Sequence, residues 1–168
     1  ALVGPTGSGK TSITALTHRF YDVQKGTVKI GGHDVRDVTQ ETIGHHVGMV
    51  LQEPFLFSET VLDNILYNTP GKERSEAIAA AKTVGAHDFI EKLSDGYDTV
   101  LEERGSNLSI GQRQLISFAR AIVADTEILV LDEATANIDT FTEVMIQKAL
   151  RELLKDRTAV VIAHRLST

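Results

Sequence analysis

The chain has 168 residues, 42% of them hydrophobic and 24% charged, with a formal net charge of −6 and no cysteine. That balance fits one globular domain with a real core, and its acidic excess argues against a general nucleic-acid-binding surface. No apolar run approaches the ~18 residues that span a bilayer, and without cysteine there are neither disulfides nor thiolate metal sites.

In chain order, Ala1-Leu2-Val3 reads as the last part of a strand, followed by a glycine-rich loop and a helix over Lys10–Phe20. Apolar β-rich runs follow at Thr27–Ile30 and Val47–Leu51. From Thr60 to about Ala124 the pattern is helical with no convincing strand: Thr60–Tyr67, the Ala-rich Glu73–Val84, His87–Leu93 and Ser109–Ala124. Pro70-Gly71-Lys72 reads as a flexible connection between two of these helices. Glu127–Leu131 and Thr158–Ala163 are continuous apolar runs, as expected for parallel strands covered on both faces. Between them, Val144, Ile146, Ala149, Leu150 and Leu153 recur near helical spacing over Thr140–Leu154, completing a strand–helix–strand crossover unit. The fold class is therefore α/β, with a mainly parallel sheet and an inserted α-helical subdomain. The expected division is a core over 1–54 and 125–168 with helices over 55–124. Both ends read as cut, since three residues make only part of a strand and Thr158–Ala163 is followed by just five residues.

Several segments carry chemistry. Gly4-Pro5-Thr6-Gly7-Ser8-Gly9-Lys10-Thr11 satisfies G-x-x-x-x-G-K-[S/T] at every required position. Its glycines let backbone N–H groups converge on the β- and γ-phosphates of a nucleotide, Lys10 adds a compact positive charge, and the Thr11 hydroxyl suits Mg²⁺. Ile128-Leu129-Val130-Leu131-Asp132-Glu133 ends an apolar strand in two carboxylates, at the edge where open α/β sheets bind ligands. One such carboxylate can hold hydrated Mg²⁺ while the next orients or deprotonates a water. Gln52 follows the strand Val47–Leu51, where an amide can reach both a metal and an attacking water. His164 follows Thr158–Ala163, beside the expected γ-phosphate position. His18, His33, His45, His46 and His87 read as surface or core residues, and His45-His46 would point to opposite faces of a strand. Leu108-Ser109-Ile110-Gly111-Gln112 places exposed N–H groups at a helix start, a second anion-binding position. Ser109 and Gln112 also fit an ordinary capping box, and the two readings are compatible.

The order of these segments resembles the ATP-binding cassette (ABC) ATPases, whose signature reads Leu-Ser-Gly-Gly-Gln, and the resemblance covers nearly the whole chain. It implies a P-loop NTPase core that holds ATP and Mg²⁺. Gly4–Thr11 with Ser12 would form the nucleotide cradle, and Thr11, Gln52 and Asp132 the metal environment. Glu133 would be the catalytic base, Gln52 and His164 would complete the catalytic set, and Asp139 would be a further nucleotide contact. Ser109, Gly111 and Gln112 would serve ATP held by a second cassette, so that the active site is shared across a dimer. Gln52-Glu53-Pro54-Phe55-Leu56-Phe57, followed by Thr60-Val61-Leu62-Asp63-Asn64-Ile65, is similar to the exporter pattern. Glu102-Glu103-Arg104-Gly105 resembles the loop that contacts exporter membrane domains. The expected partner is thus a transmembrane domain fused upstream, with the cassette on the cytoplasmic face of a membrane and no nucleic acid bound.

Three features depart from the family. Its adenine-stacking aromatic lies upstream of the phosphate loop, so weak ATP binding is expected of this segment alone. Ala134-Thr135-Ala136-Asn137-Ile138-Asp139 only partly matches the usual Ser-Ala-Leu-Asp. Ile110 replaces a signature glycine, and its β-branched side chain restricts the backbone, which leaves a heterodimer as open as a homodimer. The alternatives are a soluble ABC ATPase of DNA repair or translation, or a stand-alone P-loop kinase or nucleotide switch.

Overall fold

Strands and helices alternate at the two ends of the sequence, and that alternation assembles a parallel sheet. The computed structural model describes residues 2–4, 7–132 and 140–163. Among them are six strands: β1 (Leu2–Val3), β2 (Lys29–Ile30), β3 (His33–Asp34), β4 (Val47–Val50), β5 (Ile128–Asp132) and β6 (Thr158–Ala163). One sheet has the order β1-β6-β5-β4, and every pairing in it is parallel. The helices are α1 (Lys10–Thr17), α2 (Gln40–His46), α3 (Val61–Ile65), α4 (Arg74–Val84), α5 (His87–Ile90), α6 (Ile110–Ala124) and α7 (Thr140–Leu154). Adjacent parallel strands need a crossover, and α7 supplies it between β5 and β6. Leu129, Val130 and Leu131 are consecutive and all buried, so β5 is covered on both faces as its unbroken apolar run predicts.

The larger core gathers around α6. This helix buries residues on nearly every side, among them Leu115, Ile116, Phe118, Ala119 and Val123, because it packs against α3, α4, α7 and β4 together. Its neighbour α4 presents Ala77, Ala80, Ala81 and Val84 at helical spacing, and these small side chains allow close approach. A smaller core lies on the other side of the sheet, where Val35, Ile43 and Val47 meet Val130. From Thr60 to Ala124 the described residues hold helices, with a single β-bridge between Thr60 and Val100.

Three expectations are corrected. The helix after the phosphate loop ends at Thr17 rather than Phe20, because Arg19 takes a left-handed φ of 53°. The run Thr27–Ile30 contributes only two strand residues, and they pair antiparallel with β3 in a separate two-stranded sheet. Gly31 and Gly32, with φ of 57° and 88°, make the two-residue turn between them. His45 and His46 lie in the last turn of α2, not on a strand. Thr39 starts that helix by accepting the Thr42 N–H at 3.1 Å, and Ile43 anchors it in the smaller core.

Candidate functional site

The phosphate loop leaves the sheet at Gly4 and enters α1 at Gly9. Gly7 and Gly9 adopt φ of 83° and 87°, a region that side chains resist, so the loop can curl tightly before the helix begins. A Cβ at Gly4 would lie 2.7 Å from Ser8 Oγ, which accounts for the first glycine as well. Lys10 is buried, and its ammonium reaches back across the loop to donate to Gly4 O at 2.6 Å and Ser8 Oγ at 3.5 Å. The N–H groups at the start of α1 have no acceptor inside the helix, and Thr11 and Ser12 are exposed beside them. Pro5 and Thr6 lie outside the described residues.

Parallel registry decides what else stands near this loop. Val3 is opposite Ala163, Ile162 opposite Asp132, and Leu131 opposite Val50. Since all four strands run the same way, the chain leaves each of them at one edge. That edge therefore collects Gly4 after β1, Asp132 ending β5 and the Leu51-Gln52 exit from β4. With ~4.8 Å between neighbouring strands, Asp132 stands ~10 Å and the Gln52 exit ~14 Å along that edge from the end of β1, the scale of a nucleotide's phosphates with a hydrated cation. Gln52 is exposed and Asp132 half-buried. The ammonium, the helix-start N–H groups, the hydroxyls and a carboxylate suit a polyphosphate with a hard divalent cation. Glu133, Asp139 and His164 lie outside the described residues.

The signature segment stands at the start of α6. Ser109 Oγ accepts the Gln112 N–H at 3.2 Å, while Gln112 Oε1 accepts the Ser109 N–H at 2.9 Å, a complete capping box. The capping reading is thus fulfilled within α6 itself. Ile110 is 44% exposed, so its side chain faces outward beside Ser109. Gly111 is buried, and a Cβ there would run into Thr142 Cγ2 of α7. Helical packing alone therefore requires that glycine. Thr142 is stiff at χ1, so Gly111→Ala is expected to cost about 1–3 kcal/mol, read as a lower urea midpoint with unchanged slope.

Of the five histidines read as surface or core residues, His18 is buried at the end of α1, where Nδ1 lies 3.2 Å from Thr14 O and burial holds its pKa below the usual value. His46 Nδ1 is 3.3 Å from Glu127 Oε2, and His87 Nδ1 is 2.9 Å from the Tyr97 hydroxyl. Arg120 escapes a motif reading, and Asn64 enters one only as part of the Thr60–Ile65 pattern, although the two share a hydrogen bond across 56 residues of sequence. The local signal was an arginine inside the apolar run Leu115–Val123.

A protein-family model described as ABC transporter matches residues 1–136. The chain is 56% identical over its full length to an uncharacterized ABC transporter ATP-binding protein, YknV, of Bacillus subtilis, and covers 28% of that protein. It is 50% identical over its full length to an ATP-dependent lipid A-core flippase of Syntrophus aciditrophicus, again covering 28%. Among solved structures, a bacterial Atm1-family ABC exporter with ATP bound matches 98% of the chain and 29% of its own, with a TM-score of 0.89 and 44% identity. The chain thus spans under a third of the length of these relatives.

Proposed function

Because the chain belongs to the ABC transporter family, we propose that it is the ATP-binding and ATP-hydrolysing part of an exporter, working as one of two cassettes that close on ATP. The observation that carries this reading is the shared sheet edge, where the phosphate loop, Asp132 and the Gln52 exit converge. Likeness to an exporter with ATP bound supports the same assignment. The soluble, non-transport alternative loses support, since the relatives named above include a flippase and an exporter.

In this reading the core spans 1–54 and 125–168, and the helical subdomain 55–124. Gly4–Ser12 cradle the phosphates, with Lys10 and the first N–H groups of α1 opposing charge on the transferring phosphoryl. Mg²⁺ near Thr11, Gln52 and Asp132 would neutralise phosphate charge. Glu133 accepts the proton of the attacking water, Gln52 and His164 orient the reactants, and Asp139 adds a nucleotide contact. Ser109, Gly111 and Gln112 face the phosphates held by a second cassette, identical or different. ATP that binds the closed pair better than the open one drives closure, and hydrolysis releases it.

None of the described helices is long and apolar enough to cross a membrane. The export pathway is assigned to a transmembrane domain fused upstream, with this chain on its cytoplasmic face. Gly105 packs beneath the exposed Glu102–Arg104 turn, and a Cβ there would lie 3.0 Å from Leu56 Cδ1, so that turn and the Gln52 segment form one surface for such a domain. The full-length polypeptide in lipid vesicles is expected to release phosphate from ATP only with Mg²⁺. No release at saturating MgATP would sink the reading.

A further inference from the structure

Burying a guanidinium is costly unless every N–H finds an acceptor, and leucine or methionine would fill the later turns of α6 without that cost. Arg120 nevertheless stands there. Its Nε donates to Asn64 O at 2.7 Å, Nη1 to Phe55 O at 3.0 Å and Nη2 to Asn64 Oδ1 at 3.0 Å. Its Cζ lies 5.8 Å from the Phe57 ring centre and 5.5 Å from that of Tyr67. These partners are carbonyl oxygens and aromatic rings, not carboxylates, and burial brings the pKa down to about 10. The group therefore stays charged at neutral pH.

Asn64 extends the same network. It is fully buried, its Oδ1 accepts the Phe57 N–H at 2.8 Å, and its Nδ2 donates to Phe57 O and Thr60 O, each at 3.0 Å. Between them, Arg120 and Asn64 bond the Phe55 carbonyl and both backbone groups of Phe57, while Leu56 is buried in the main core. The chain is thus pinned three residues after Gln52, and Gln52 itself is exposed. Arg120 sits ten residues into α6, and a helix carries that distance as a rod of ~15 Å back to its Ser109 end.

We propose that Arg120 is a positioning residue: it locks the segment after Gln52 onto α6, so that the Gln52 amide and the Ser109 end of the helix move as one body. One of these groups serves the nucleotide on its own chain and the other the nucleotide on the partner cassette. Arg120 thereby ties the state of one site to the presentation of the other. The inference rests on the ATPase reading above.

The test follows MgATP hydrolysis and thermal unfolding of the full-length protein. Arg120→Lys keeps the charge but loses the planar fork. Its kcat is expected to fall on the order of tenfold per folded molecule, with KM for ATP within about twofold of the unmodified value. Adding Gln52→Ala should lower kcat by less than the product of the two single losses, because both act through one segment. An unchanged kcat per folded molecule, or losses that multiply, overturns the proposal. Should Arg120→Lys fail to fold, Asn64→Asp takes its place. It keeps the Oδ1 acceptor, loses the two amide donors, and is read by the same kcat and KM criteria. Absence of hydrolysis in the unmodified protein would instead sink the ATPase reading, so the two failures are distinct.

Discussion

Lys10→Ala is expected to abolish measurable nucleotide binding, seen as a flat titration with a fluorescent ATP analogue. Lys10 has two roles that alanine cannot share. Its ammonium supplies the positive charge of the phosphate loop, and it braces that loop by reaching Gly4 O at 2.6 Å. Charge-assisted hydrogen bonds are worth about 1.5–3 kcal/mol each, so losing two at the phosphates lowers affinity by on the order of 10²–10⁴-fold. The short helix α1 starts at this same residue, so the loop loses its tie as well as its charge. An unchanged titration would contradict the phosphate-loop assignment outright.

Glu133→Gln should have the opposite signature: ATP still binds while turnover falls by on the order of 10²–10⁴-fold. Glutamine keeps the shape of the side chain but cannot take a proton from water. The residue follows Asp132, the last residue of β5, whose registry with β6 holds this strand end at the shared edge. With hydrolysis blocked and binding intact, the ATP-bound pair of cassettes should accumulate, visible as an ATP-dependent shift to twice the mass on size exclusion. Turnover like that of the unmodified protein would remove Glu133 from the role of base.

The sequence marked some of this architecture clearly and left other parts invisible, for physical reasons. The bounds of α7 and β6 follow directly from a 3.6-residue apolar repeat and an unbroken apolar run. Periodicity fails for β2 and β3, because two-residue strands are too short to show a period. Helix α2 also escapes it: Ile43 alone is buried there, so no stripe forms and Thr39 is the only boundary signal. Within the site, the phosphate loop and the acidic strand end declare themselves because their chemistry is contiguous. The Arg120–Asn64 network does not, since backbone carbonyls accept from any residue type and leave no mark in sequence. Gly111 teaches a further point. Its motif position suggested close approach of a phosphate, and the structure adds a sufficient cause in the approach of Thr142.

The cap at the start of α6 also divides the work of one hydroxyl. A serine hydroxyl has two lone pairs and one hydrogen. By accepting the Gln112 N–H, Ser109 commits a lone pair inward and turns its hydrogen away from the positive end of the helix. The hydrogen is left for another acceptor, and in the proposed reading a phosphate oxygen on the second cassette takes it. Aspartate would cap this helix equally well, yet its carboxylate has no proton to offer and would repel an anion. In that reading the choice of serine separates two tasks held by one atom: the lone pair serves the fold, and the hydrogen serves the nucleotide across the dimer.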